Sequence, residues 1–203
     1  ILGSIGVYGD KVDAFSREVP LLSELATNLA FGILSLRDKI KIQELSITDR
    51  LTGIYNRLKF DQVFEYEFKK TSRYDNQLSL IIADIDHFKD VNDSYGHQIG
   101  DSILCEFVKI LKKNIRSSDT LARWGGEEFV ILCPSCNLTS AINTAEKLRD
   151  AVQKHDFPTI GKKTASFGVS TYNKYDTKES LLHRADKALY RAKEGGRNRV
   201  ESV

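Results

Sequence analysis

The stretch Arg123-Trp124-Gly125-Gly126-Glu127-Glu128-Phe129-Val130-Ile131-Leu132 decides how this chain is read. A Gly-Gly pair between strand-like residues predicts a tight hairpin, with strands over Leu121 to Trp124 and Glu128 to Leu132, because primed turns need positive φ and glycine adopts it without a Cβ clash. Gly125 and Gly126 also let a bulky ligand approach the backbone. Glu127 and Glu128 then stand together at a turn or sheet edge. Two adjacent acids are costly there unless a cation or a basic partner neutralises them.

A second acidic cluster lies upstream. Ser79-Leu80-Ile81-Ile82-Ala83 reads as a buried strand and runs into Asp84-Ile85-Asp86. Acids directly after an apolar strand sit where the chain leaves the core. Mg²⁺ takes one or two carboxylates and leaves its other positions to water and substrate phosphates. The two clusters therefore predict a metal-assisted nucleotide site.

The rest of the pattern alternates. Helices are expected over Leu58 to Tyr74, Gly100 to Asn114, Ser140 to Gln153 and Ser180 to Glu194, with strands over Leu78 to Asp84 and Lys163 to Thr171. The order α-β-α-β-β-α-β-α predicts an α+β sandwich, with helices packed on a central antiparallel sheet. Hydrophobic content of 41% and charged content of 29% suit an ordinary globular protein. A formal net charge of +2 is not that of a dedicated nucleic-acid binder. No apolar run of bilayer-spanning length and no signal peptide is read, so no direct membrane contact is expected. The chain opens at Ile1 rather than Met and reads as a fragment, with a membrane or sensory portion expected upstream. Three cysteines, Cys105, Cys133 and Cys136, fit a reducing compartment. Cys133-Pro134-Ser135-Cys136 reads as two small residues where a strand exits, since zinc needs further ligands.

Four motifs in order resemble the GGDEF domain of bacterial diguanylate cyclases, in its GGEEF form: Asp49 to Arg57, Asp84 to Asp101, Gly125 to Phe129, and Arg184 to Asn198. The resemblance covers residues 47 to 203. It implies a ferredoxin-like sheet of the nucleotidyl-cyclase kind and a reaction in which two GTP give cyclic di-GMP and two pyrophosphates. It implies Asp84, Glu128 and the carbonyl of Ile85 as ligands of Mg²⁺, with Mn²⁺ an alternative. Glu127 is then expected to position the attacking 3′-hydroxyl or aid its deprotonation, and Asp86 to support the site. Asn92 and Asp101 are expected to read guanine, a carboxylate accepting from its N–H edge. Lys89, Lys193 and Arg197, with backbone N–H groups near Phe88, are expected to hold phosphates.

Arg116-Ser117-Ser118-Asp119 resembles the family's inhibitory product site, in which Arg and Asp bind the guanines of cyclic di-GMP. Lys147 stands where relatives place a secondary Arg, and it lacks the planar fork. The same resemblance implies a homodimer, because each domain binds one GTP, and a cytoplasmic bacterial location. Residues 1 to 46 resemble the end of a GAF sensory domain followed by a coiled-coil linker helix. Leu22, Ala26, Leu29, Ile33, Leu36, Ile40, Gln43 and Ile47 mark the heptad seam. Competing readings are a nucleotide receptor that has lost turnover, a mononucleotide cyclase on the related fold, and a pure dimerisation fragment. The complete motifs argue against all three.

Overall fold

The computed structural model describes residues 19–45, 47–74 and 76–203, the side chains of 40–45 excepted. The chain divides into two compact units, one ending at Ser46 and one running from Ile47 to Val203. In the first, α1 spans Val19–Leu45. Within it Val19–Lys39, 21 residues, is long and apolar enough to cross a membrane by length and composition. The sequence reading found no apolar run of that length, and this corrects it. Leu29, Ile33 and Leu36 of the expected seam are exposed, and so are Leu21, Leu25, Phe31 and Leu34 beside it. The apolar arc is therefore wider than a two-residue seam. The GAF-like end expected in the first part of residues 1 to 46 lies, up to residue 18, outside the described residues.

The second unit follows the order α2 (Arg57–Tyr74), β1 (Leu78–Ile85), α3 (Phe88–Tyr95), α4 (His97–Asn114), β2 (Thr120–Gly125), β3 (Glu128–Pro134), α5 (Leu138–Lys154), β4 (Ala165–Thr171), α6 (Lys178–Glu194) and β5 (Val200–Ser202). The sheet order is β2-β3-β1-β4-β5. β1 is central and antiparallel to β3 and β4, and β2 is antiparallel to β3. This β-α-β-β-α-β core is ferredoxin-like. β5 adds a parallel edge to β4, so the five-stranded sheet is mixed rather than purely antiparallel.

Every residue of β1 is buried, as expected for a strand covered on both faces. Period-two alternation sends Ile81, Ala83 and Ile85 into one core with Phe107, Phe129, Ile131 and Leu148. Leu78, Leu80 and Ile82 enter a second core with Phe60, Phe64, Leu181 and Leu189. The first core lies under α3, α4 and α5, the second under α2 and α6. Cys133 and Cys136 are buried free thiols at the end of β3.

Candidate active site

The parity of β1 gives Asp84 the same side as Leu80 and Ile82, facing α6. Its cross-strand neighbours are Glu128 on β3 and Ser166 on β4. Directly opposed residues of an antiparallel pair share a face. Asp84 and Glu128, 44 positions apart in sequence by their numbers, are therefore adjacent at one sheet end. Asp84 is 5% exposed, and its Oδ2 lies 2.8 Å from the Lys193 Nζ of α6. Burial pushes the Asp84 carboxyl up to about 6; the Lys193 ammonium holds it down, and the charges of Glu127 and Glu128 add to the rise. Lys193, expected on phosphate, is paired with the Asp84 carboxylate.

The hairpin turn is Gly126-Glu127, one residue later than the sequence reading placed it. Gly126 has φ 49, while Gly125 belongs to β2 and pairs with Glu128 after a register shift past Arg123. A single positive φ at the first central position suffices for a two-residue primed loop. Arg123 braces this turn. Its Nε and Nη2 donate to the Gly126 carbonyl at 2.9 and 2.7 Å, and its Nη1 donates to Asp49 at 3.2 Å. Burial works against the charge on Asp49, but hydrogen bonds from Thr52 and the Arg123 guanidinium outweigh it and hold the carboxyl below its ordinary value. Arg57 stacks over Trp124 at 4.1 Å. Sequence reasoning quoted Asp49 to Arg57 as a motif and gave it no task; bracing the turn is one.

Asp86 is 3% exposed and engaged in hydrogen bonds within the protein. Its carboxylate accepts from Thr164 Oγ1 and Ser166 Oγ, both at 2.7 Å, and from the Asn198 backbone N–H at 3.0 Å. It ties the end of β1 to the loop after α6, which carries Arg197. Arg197 is exposed with φ 63, its own N–H donating to the Ala192 carbonyl.

The chain reverses at His87, φ 55, into α3, and no side chain caps that helix start. Bare first-turn N–H groups suit an anion. Lys89 is exposed at this end, whereas the Phe88 side chain is buried in the first core. The phenyl ring therefore packs, and only the backbone of Phe88 is free to serve a phosphate. Asn92 is half-buried on α3 and Asp101 exposed on α4. A Cβ on Gly100 would meet Asn92 Oδ1 at 2.0 Å, so the missing side chain makes room for that amide.

Arg116 and Asp119 close a small turn. The Arg116 N–H donates to Asp119 Oδ2 at 2.9 Å, and the Asp119 N–H donates to the Arg116 carbonyl at 3.1 Å. Both border a cavity of about 640 Å³, with Tyr55 and Lys112. Lys147 borders a neighbouring cavity of about 350 Å³ that also touches Arg116, and its ammonium donates to the Asn114 carbonyl at 3.2 Å.

Among the described residues no group of three or more His, Cys, Asp or Glu forms a metal cluster. Asp84 and Glu128 form a smaller pair of carboxylates at the sheet end. Glu127 stands next to Glu128 in the turn, and a cluster of carboxylates is chemistry that fits a divalent cation.

Comparison with known proteins agrees with this fold. The model of the family described as "Diguanylate cyclase, GGDEF domain" matches residues 46–199, and the chain belongs to that family. Diguanylate cyclase A of Treponema denticola is 35% identical over 203 residues, covering 96% of this chain and 54% of that protein. The coiled coil and GGDEF domain of DgcB from Caulobacter crescentus, in complex with c-di-GMP, superposes with a TM-score of 0.75 at 29% identity, covering 90% of this chain and 99% of that one. The active GGEEF domain of a diguanylate cyclase from Vibrio cholerae gives a TM-score of 0.70 at 35% identity, covering 72% of this chain and 96% of that one. The chain spans about half the length, or less, of the curated relatives it matches.

Proposed function

We propose that this chain is the catalytic portion of a diguanylate cyclase, which condenses two GTP into cyclic di-GMP and two pyrophosphates. The observation that carries the reading is the pairing of Asp84 with Glu128 at the sheet end, with Lys193 drawn onto Asp84. The named activity of the Treponema and Vibrio relatives supports it. Mg²⁺, or Mn²⁺ in its place, held by Asp84, Glu128 and the Ile85 carbonyl, would neutralise charge developing on the α-phosphate.

The chain's own residues supply the rest. The first turn of α3, Lys89, Lys193 and Arg197 hold the triphosphate. Asn92 and Asp101 select guanine, since adenine leaves the Asp101 carboxylate without its donors. Arg123 and Asp49 keep the Glu127–Glu128 turn in place. Because one domain binds one GTP, two domains must face each other, and alignment of the half-sites limits the rate. The work is assigned to a homodimer joined through α1, driven by an upstream sensory domain and placed in the bacterial cytoplasm, where GTP is. The DgcB structure, which contains a coiled coil, is consistent with that arrangement. Residues 1–46 are read as sensory remnant and linker, and residues 47–203 as the catalytic domain. Cyclic di-GMP is read as a feedback inhibitor at Arg116 and Asp119, with Lys147 a weak auxiliary contact.

A Glu128→Ala variant separates this reading from a receptor. Turnover should vanish while cyclic di-GMP still binds at Arg116, measured by calorimetry. Undiminished turnover by the variant would remove Glu128 from the chemistry.

A further inference from the structure

Apart from Lys193, the exposed face of α6 beside Glu128 has no task in the account above. His183, Asp186, Lys187, Tyr190 and Lys193 recur at three- and four-residue spacing, so they form one stripe along the helix. Together with Glu128 they border a cavity of about 400 Å³. A second cavity of about 270 Å³ also touches Glu128, His183 and Asp186, with Trp124, Ile82 and Leu182 as further walls. None of α3, Asn92, Asp101 or Arg197 borders either space. The space therefore adjoins the domain's own site at Glu128 and Lys193 and extends from there along α6, away from the groups assigned to the guanine.

Resting on the cyclase reading, we infer that this α6 groove receives the ribose of the second GTP, carried by a second copy of the chain, and that Asp186 binds its 3′-hydroxyl. Ring closure requires a 3′-oxygen from the other nucleotide. That oxygen must approach the α-phosphate opposite the departing pyrophosphate. Phosphate holders cluster at the C-terminal end of α6, at Lys193 and Arg197. Asp186 lies seven residues back, about 10 Å along the helix at 1.5 Å per residue. The groove thus runs from Glu128 and Lys193 back along α6 toward Asp186 and His183. Trp124, Ile82 and Leu182 offer an apolar wall to a sugar or base face, and His183 and Asp186 offer polar partners to its hydroxyls. In the step, the 3′-oxygen forms a bond to the α-phosphorus. The bond from that phosphorus to the bridging oxygen breaks, and pyrophosphate leaves with the electron pair. The hydroxyl proton passes to the Asp186 carboxylate and, that side chain being exposed, on to water.

The test compares wild type with Asp186→Ala and Asp186→Asn. A non-hydrolysable α,β-methylene GTP analogue reports binding to the domain's own site, sedimentation reports the dimer, and product chromatography reports kcat at saturating GTP. The inference expects unchanged analogue affinity and dimerisation, with kcat at least tenfold lower in both variants. Unchanged kcat would overturn it. A parallel loss of analogue binding would also overturn it, by placing Asp186 in the domain's own nucleotide site. Wild-type protein that binds the analogue yet makes no cyclic di-GMP at any concentration would defeat the cyclase reading itself, and this inference with it.

Discussion

Replacing Asp84 with Asn should stabilise the metal-free protein while abolishing turnover. Asp84 is 5% exposed, and its carboxyl is pushed from 3.8 to about 6 even with Lys193 at 2.8 Å. A rise of about two units makes the ionised form costlier by about 3 kcal/mol, at 1.36 kcal/mol per unit. The cost has a definite sign with pH. A folded-state pKa above the unfolded value contributes stability that is fully present below 3.8 and lost as pH rises through about 6. Asn is neutral throughout but gives up the ion pair with Lys193. A net gain of about 1–3 kcal/mol at pH 7.5 follows, or roughly 3–10 °C in Tm for a domain of this size. The assay is thermal unfolding in EDTA from pH 4 to pH 8, with and without Mg²⁺. The variant should melt higher at pH 7.5, the two proteins should converge near pH 4, and Mg²⁺ should raise only the wild type. A lower Tm for Asp84→Asn at pH 7.5, or a gap that persists at pH 4, would refute the reasoning.

Lys193→Met should bind Mn²⁺ alone more tightly than wild type at pH 8, by a few-fold in electron paramagnetic resonance titration, because the ammonium no longer competes for Asp84; weaker binding would show that Lys193 organises the carboxylate instead. Arg123→Met removes the donors to the Gly126 carbonyl and leaves Asp49 without its guanidinium; a loss of about 1–3 kcal/mol is expected by denaturant titration, with a fall in kcat, and an unchanged kcat would separate the brace from the chemistry. Arg116→Ala should raise the cyclic di-GMP concentration for half-inhibition about tenfold or more, the worth of one bidentate guanine contact, without altering initial rates in product-free assays; an unchanged half-inhibition would move feedback elsewhere.

Much of the site was legible because its parts are local. Acids at the end of an apolar strand and acids beside a Gly-Gly pair each announce a strand end, and antiparallel pairing joins them at Asp84 and Glu128. The expected helices and strands were found within a few residues, apart from short elements. α3 was not among the expected helices: Asp90, Asn92, Asp93, Ser94 and Gly96 are turn formers, and only Phe88 and Val91 bury an apolar face. β5 has three residues, too few to show alternation, and forms by pairing with β4. The Arg123–Asp49 brace spans 74 positions, and no local pattern predicts it. Lys193 was legible as a cation near the site, but its resting partner Asp84 depends on where α6 lies over the sheet. The hairpin glycines misplaced the turn by one residue, because the register shift lets Gly125 remain in the strand. No apolar run of bilayer-spanning length was read in the sequence, whereas the 21 residues Val19–Lys39 meet that length and composition.

The central claim is tested most directly by incubating the purified chain with GTP and Mg²⁺ at low and high protein concentration, with Glu128→Ala as control, and identifying products by chromatography with mass detection. The account predicts cyclic di-GMP and pyrophosphate in a one-to-two ratio, with specific activity rising with protein concentration and none from the control. GTP binding without product at any concentration, or equal product from the control, would contradict it.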